Sequence, residues 1–180
     1  MPNEQSAPNF FAVVNEMAKR FVELMQSDYR MKRKVGRNFT NAVASGTLEK
    51  SLAYRLKIKG KSIDISIYAK GKASKYFLAR EDGRRPGATP PPVSAILEWM
   101  RIKPIKLRDK ETGKFKKPTE ALKKQVAFLI ARKIGKQGIK GWHAFDYAME
   151  NIWDEYEAKV VEAYGKDFNA VIENQFNDIQ

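Results

Sequence analysis

Residues 52–68 read LAYRLKIKGKSIDISIY, and this stretch decides the predicted fold class. Apolar and polar residues alternate from Leu52 to Lys59, and the alternation resumes at Ile63 after Gly60 and Lys61. Because residues two apart lie on one face of a strand, the pattern predicts a β-hairpin with a two-residue turn. A lone hairpin is marginally stable in water, so its apolar face needs helices, or strands from a neighbouring subunit.

Helical spacing of apolar residues dominates the remainder of the chain. It predicts helices at 9–27, more weakly 31–44, 73–81, 92–100 and 118–136, and a long helix from 144 that Gly165 breaks or bends before a short last helix. These elements predict an α+β fold, in which a β-hairpin or small antiparallel sheet packs against several helices. We expect one domain over residues 1–180, with residues 1–8 flexible.

The composition bounds the class of protein. Hydrophobic residues make up 43% of the chain and charged residues 31%, which is typical of a globular protein. No apolar run approaches the roughly 18 residues of a membrane-spanning helix, and the first residues lack a secretory signal pattern. We therefore expect a soluble protein made in the cytoplasm, without membrane contact. The absence of cysteine excludes disulfides, thiol nucleophiles and cysteine-based zinc sites.

Charge is distributed unevenly along the chain. The formal net charge is −1 for residues 1–30, +21 for residues 31–140 and −7 for residues 141–180. A basic middle and an acidic end on identical subunits favour head-to-tail association. A surface that binds nucleic acid and a merely solvated basic surface are the alternatives, and the sequence leaves both open.

Two basic clusters are candidate contact sites. Residues 32–37, on the weaker predicted helix, could face nucleic acid or solvent. Residues 103–117 are predicted to form an exposed, mobile loop that faces DNA or a partner. Its basic residues are Lys103, Lys106, Arg108, Lys110, Lys114, Lys116 and Lys117.

No catalytic or metal-binding set is predicted. The single histidine, His143, has no partner at catalytic spacing, and Gly135 to Gly141 lacks the pattern of a phosphate-binding loop, so we interpret it as a helix end with a flexible, hinge-like join. Asp64, with Glu49, Glu81 and Asp82 elsewhere in the sequence, is a conceivable nuclease cluster, but an outward polar residue on a hairpin is the simpler interpretation. No cofactor is expected.

The most distinctive segment is a proline- and glycine-rich turn, followed by a helix that carries Trp99. Glycines allow backbone angles that other residues resist, and prolines stiffen the chain, so a rigid, shaped loop is predicted. Its residues are Gly83, Arg84, Arg85, Pro86, Gly87, Pro90, Pro91 and Pro92.

This segment, from Tyr76 to Met100, resembles a signature of the neck proteins of long-tailed bacteriophages, the small head-tail joining or tail-completion proteins. The order of the preceding hairpin and of the following helix, before Gly138 and Ile139, also fits, so the resemblance covers about residues 45–150.

The resemblance implies a structural, non-enzymatic virion protein. Copies would form a homo-oligomeric ring beneath the portal or adaptor, join the head to the tail proteins, and leave a channel for DNA. The protein would lie at the head-tail junction of the virion and in the host cytoplasm during assembly. The turn would then contact a neighbouring subunit, and Trp99 would either anchor that contact or be an ordinary core residue.

Overall fold

The computed structural model describes residues 7–35, 38–59, 62–103, 105, 107–108, 113–116 and 119–177. Its helices are α1 (Pro8–Arg30), α2 (Thr47–Ser51), α3 (Ser74–Glu81), α4 (Val93–Ile102), α5 (Glu120–Gln137) and α6 (Ala144–Asn177). Its strands are β1 (Arg33–Val35), β2 (Asn38–Thr40), β3 (Leu52–Lys59), β4 (Ser62–Ala69), β5 (Gly83–Arg84), β6 (Leu107–Arg108), β7 (Phe115–Lys116) and β8 (Ile139–Lys140). This arrangement confirms the α+β class.

The strands form antiparallel pairs, and the β3–β4 hairpin is the largest of them. The pairs are β1–β2, β3–β4, β5–β8 and β6–β7. Within the hairpin, Leu56 lies opposite Ile65 on the apolar face, and Lys57 lies opposite Asp64 on the polar face. The register confirms the predicted alternation, while the predicted turn residues, Gly60 and Lys61, lie outside the described residues.

The main core lies between α1, the hairpin and α6. The two helices run antiparallel, because Arg20 of α1 bonds to Glu155 at 3.0 Å and Asn9 bonds to Asp167 at 2.7 Å. Apolar residues at helical spacing give α1 one buried stripe, in which Met25 is fully buried. Leu52 and Ala69 at the base of the hairpin join the same core, so helices supply the packing that the hairpin needs.

A second, smaller core lies between α4 and α5. Ile96 and Met100 of α4 pack against Ala127 and Ala131 of α5. The two alanines let the helices approach closely, since their side chains occupy little space between the backbones. Thr119 caps α5 by accepting a hydrogen bond from the amide of Leu122 at 3.3 Å.

The first helix is longer than predicted, and the expected helix at 31–44 is wrong. Ala7 is buried and Pro8 begins α1, so the predicted flexible start is wrong for these two residues. The chain leaves α1 at Met31 in an extended conformation and continues as the β1–β2 pair. Arg33 is held there by Asp28 and by the carbonyl oxygen of Trp142 at 2.8 Å, and these contacts outweigh a weak helical pattern.

The predicted break at Gly165 is also wrong, because α6 continues to Asn177. Asp167 lies two residues after Gly165 and accepts hydrogen bonds from the amides of Asn9 and Phe10 at 3.1 and 2.8 Å. These bonds hold this part of α6 against the start of α1. Within the described ranges, no helix has both the length and the apolar character needed to cross a membrane.

Candidate functional site

The proline- and glycine-rich turn is fastened to a second glycine-rich stretch. We call residues 83–92 the turn segment and residues 135–141 the glycine segment. Gly83 pairs with Lys140 and Arg84 with Ile139, and the amide of Gly87 donates to the carbonyl oxygen of Gly135 at 2.8 Å. The two segments therefore form one backbone-to-backbone contact between the ends of α3 and α5.

Glycine is required in this contact because the two backbones nearly touch. A Cβ added at Gly138 would lie 2.1 Å from the carbonyl oxygen of Arg84, and one added at Gly141 would lie 2.0 Å from that of Glu81. Gly138 also has φ of 70°, which side-chain-bearing residues rarely adopt. The interpretation of the glycine segment as a flexible, hinge-like join is therefore wrong, because its glycines serve close packing.

The outer side of the turn segment presents a fixed shape to solvent. Arg84 donates to the carbonyl oxygen of Thr89 at 2.5 Å across the turn, while Arg85, Pro86 and Gly87 are exposed. Pro90 lies against Gly135, where a Cβ would be 2.7 Å from its Cγ. Prolines limit the backbone further, so the exposed residues are held in place from beneath.

A buried polar network lies under the turn segment and was not predicted from the sequence. Glu81 accepts hydrogen bonds from the hydroxyl of Tyr29 and, at 2.8 Å, from the amide of Phe145 in the first turn of α6. Burial, and then the hydrogen bond with Glu81, raise the pKa of Tyr29. The carboxylate thus supplies the cap that the sequence before α6 lacks, since His143 is not a capping residue. The absence of a capping residue before α6 is the feature of the sequence that could have indicated a distant carboxylate at this helix start.

Two guanidinium groups lie over the ring of Trp142 beside this network. Arg33 and Arg80 lie 4.8 and 5.0 Å from the ring centre, and the indole N–H donates to the carbonyl oxygen of Asp28 at 3.3 Å. Arg33 also pairs with the fully buried carboxylate of Asp28. Burial lowers the pKa of Arg80 below its ordinary value. These contacts connect the ends of α1 and α3 to Trp142, the residue that follows the glycine segment.

A cleft of about 350 Å³ opens beside this network. Its wall includes Tyr76, Arg80, Trp99, Lys103 and residues 40–49. Trp99 is 39% exposed, so its interpretation as an ordinary core residue is wrong. The cleft combines aromatic and cationic side chains at the surface.

The predicted basic loop contains a short two-stranded ribbon, in which Leu107 pairs with Lys116 and Arg108 with Phe115. The predicted exposure is confirmed for Lys114 and Phe115, and the ribbon is an element that the sequence did not predict. Lys103 is half-buried at the cleft and Lys114 is exposed. Lys106, Lys110 and Lys117 lie outside the described residues.

The carboxylates of the conceivable nuclease cluster are not brought together. Asp64 pairs with Lys59 on the polar face of the hairpin, Glu49 pairs with Arg30, and Glu81 lies in the buried network. In the described part of the chain, no group of three or more histidine, aspartate or glutamate residues is arranged to hold a metal ion. The described carboxylates therefore do not form the conceivable metal-binding cluster.

Comparison of the chain with known protein families, with curated proteins and with solved structures gave no match. The function is therefore inferred from the geometry of this chain and from the pattern of its residues.

Proposed function

We propose that this chain is a structural, non-enzymatic virion protein that joins the head of a tailed bacteriophage to its tail. Copies would form a ring around the DNA channel, between the portal or adaptor and the tail proteins. The observation that carries the proposal is the turn segment, which is exposed on one side and held by backbone contacts on the other.

A surface of fixed shape suits a protein that binds partners in an assembly better than it suits an enzyme. A preordered loop loses little conformational entropy when a partner binds, so more of the contact energy remains for affinity. Arg85 and Pro86 are exposed at the tip of the turn segment, and Trp99 is exposed at the nearby cleft. Aromatic and arginine side chains are the residues most often dominant in protein interfaces.

Size requires several copies for this function. The longest helix, α6, spans about 50 Å, but a single domain of 180 residues is still too small to enclose duplex DNA. The net charge of +21 on residues 31–140 also restricts how a ring is arranged. If most of these cations lined the channel, the ring would bind DNA strongly, because contact with the phosphates releases counterions. Such binding would slow the passage of DNA. We therefore expect most of them to face acidic protein surfaces.

The test is electron microscopy of lysates from a phage or prophage that carries a nonsense mutation in this gene. We expect DNA-filled heads beside separate, unattached tails, and restored particles when the wild-type chain is supplied from a plasmid. Normally joined particles in the mutant lysate would remove the connector function.

A variant tests the turn segment itself. Arg85→Glu changes an exposed side chain and should leave the thermal midpoint of the purified protein unchanged, yet should reduce plasmid complementation. Lys72→Glu, another exposed basic residue outside the turn segment, is the matched control and should complement fully. Equal complementation by both variants would show that the turn tip is not a contact.

Direct binding of nucleic acid is the second candidate function, favoured by the basic two-stranded ribbon β6–β7. A protein that acts in this way binds duplex DNA with an affinity that falls steeply as salt rises, because phosphate contacts release counterions. Such binding, together with normally joined virions in the nonsense mutant, would favour this candidate over the connector.

A further inference from the structure

The outward face of α5 carries cations and large apolar side chains together. Lys124, Arg132 and Lys136 are separated by multiples of four residues and so follow one stripe of the helix. Phe128 lies within the stripe and Leu129 beside it, and these side chains are 54% and 53% exposed. Among the described residues, none of these three cations forms an ion pair. We call this surface the basic stripe.

The outward face of α6 has the opposite charge and a similar apolar content. Its acidic side chains are spaced by three or four residues: Asp146, Glu150, Asp154 and Glu157. Met149 and Trp153 adjoin them, and each is 52% exposed. The last three of these carboxylates make no ion pair within the ranges that the structure describes. We call this surface the acidic stripe.

The two stripes match in length as well as in charge. At 1.5 Å per residue, the basic stripe from Lys124 to Lys136 is about 18 Å long, and the acidic stripe from Asp146 to Glu157 is about 16 Å long. Each places large exposed apolar side chains beside its charges. Packing one against the other would bury these apolar groups and give the charges partners of opposite sign.

We propose that the basic stripe of one copy of this chain packs against the acidic stripe of the next copy. Such a contact uses different surfaces on the two partners, so it repeats from subunit to subunit and builds a ring or a filament. This inference rests on the proposed function and names the subunit contact of the ring. It also gives the large positive charge a protein partner outside the channel.

A second copy fits these surfaces better than nucleic acid does. DNA satisfies the cations of the basic stripe but leaves Phe128 and Leu129 without apolar contacts. It is also repelled by the acidic stripe. One chain carries both complementary surfaces, and the charged side chains of both are exposed in the part of the chain that the structure describes.

The test uses the purified full-length protein and analytical ultracentrifugation over a concentration series at low salt. In one variant, Arg132→Glu and Lys136→Glu reverse the basic stripe. In a second, Glu150→Lys and Asp154→Lys reverse the acidic stripe. Each variant alone should self-associate at least about tenfold more weakly than wild type, since like charges then face each other.

Mixing the two variants should restore association, because each reversed stripe then meets a reversed partner. The matched control is Lys70→Glu with Lys72→Glu, which makes the same charge change at exposed residues away from α5. Its self-association should equal that of wild type. Circular dichroism should show the same helical content and melting curve for all variants, since every substituted side chain is exposed.

Three results would overturn the inference. The first is a wild-type protein that stays monomeric up to about 0.5 mM. The second is a mixture that associates no better than either variant alone. The third is a basic-stripe variant that loses duplex DNA binding while its self-association is unchanged, which would assign the stripe to nucleic acid.

The inference and the proposed function fail in distinguishable ways. Unattached tails in the nonsense mutant, without rescue on mixing in solution, would keep the connector function and remove this interface. Rescue on mixing, together with normally joined particles in the nonsense mutant, would keep the interface and remove the connector function.

Discussion

Substitution of Gly138 by alanine tests whether the turn segment is held by close backbone packing. The new Cβ would lie 2.1 Å from the carbonyl oxygen of Arg84, and the backbone at φ 70°, ψ −171° is one that alanine strongly disfavours. That conformation alone costs about 1–3 kcal/mol. Relief of the clash separates β5 from β8 and removes hydrogen bonds worth about 1 kcal/mol each.

Together these effects should lower the free energy of unfolding by about 3–4 kcal/mol, which corresponds to a fall in Tm of about 10 °C for a chain of this size. Urea and thermal unfolding followed by circular dichroism measure both quantities. Gly165→Ala is the matched control, because Gly165 is helical and has nothing within 4 Å of an added Cβ. It should raise stability by about 0.5–1 kcal/mol. A Gly138→Ala protein within about 1 kcal/mol of wild type would refute the reasoning.

Three further substitutions test the buried contacts. Glu81→Gln should reduce the free energy of unfolding by about 1–3 kcal/mol in urea titrations, because a neutral amide replaces the carboxylate that caps α6; an unchanged midpoint would contradict that role. Arg33→Ala should destabilise by about 2 kcal/mol or more, since it leaves the carboxylate of Asp28 buried without its cation, and Arg33→Lys should recover part of the loss. Burial raises the pKa of Asp167, but hydrogen bonds from Phe10 and Asn9 outweigh it and hold the pKa below its ordinary value. The stabilisation that the ionised Asp167 gives the folded protein is therefore present above about pH 4 and is lost as pH falls through the lowered pKa. The stability difference between wild type and Asp167→Asn should shrink in acid. A difference that grows in acid would show that the pKa of Asp167 is not lowered by folding.

The periodicity of apolar residues correctly predicted the elements that bury a single face. The hairpin register was predictable because a slip of one residue would turn Ile65 from the apolar face to the polar one. The stripe of α1 was predictable for the same reason, since its apolar residues recur at helical spacing along a single buried face. In both elements a local pattern carries the whole signal.

Contacts between distant residues explain the errors. Arg33 lies in β1 because Asp28 and the carbonyl oxygen of Trp142 hold it, and residue 142 is far along the chain. Gly138 and Gly141 resemble a flexible join in sequence, and only the approach of Arg84 and Glu81 reveals that they permit contact. Glycine occurs both in flexible joins and where two backbones pack closely, so the sequence alone does not distinguish these two roles.

One carboxylate fixes the relation between the two surfaces proposed to meet neighbouring copies. Glu81 lies two residues before Gly83, where the turn segment begins, and its side chain caps α6 at Phe145. The carbonyl oxygen of Glu81 also accepts from the amide of His143 at 3.2 Å. The exposed turn segment and the acidic stripe of α6 are therefore both anchored near Glu81, a buried residue that several hydrogen bonds hold in place. A ring closes only if each subunit is rotated by the same angle from the last. A rigid joint between the two surfaces supplies that constancy, and weakening the joint through Glu81→Gln should broaden the distribution of oligomer sizes even where each pairwise contact is intact.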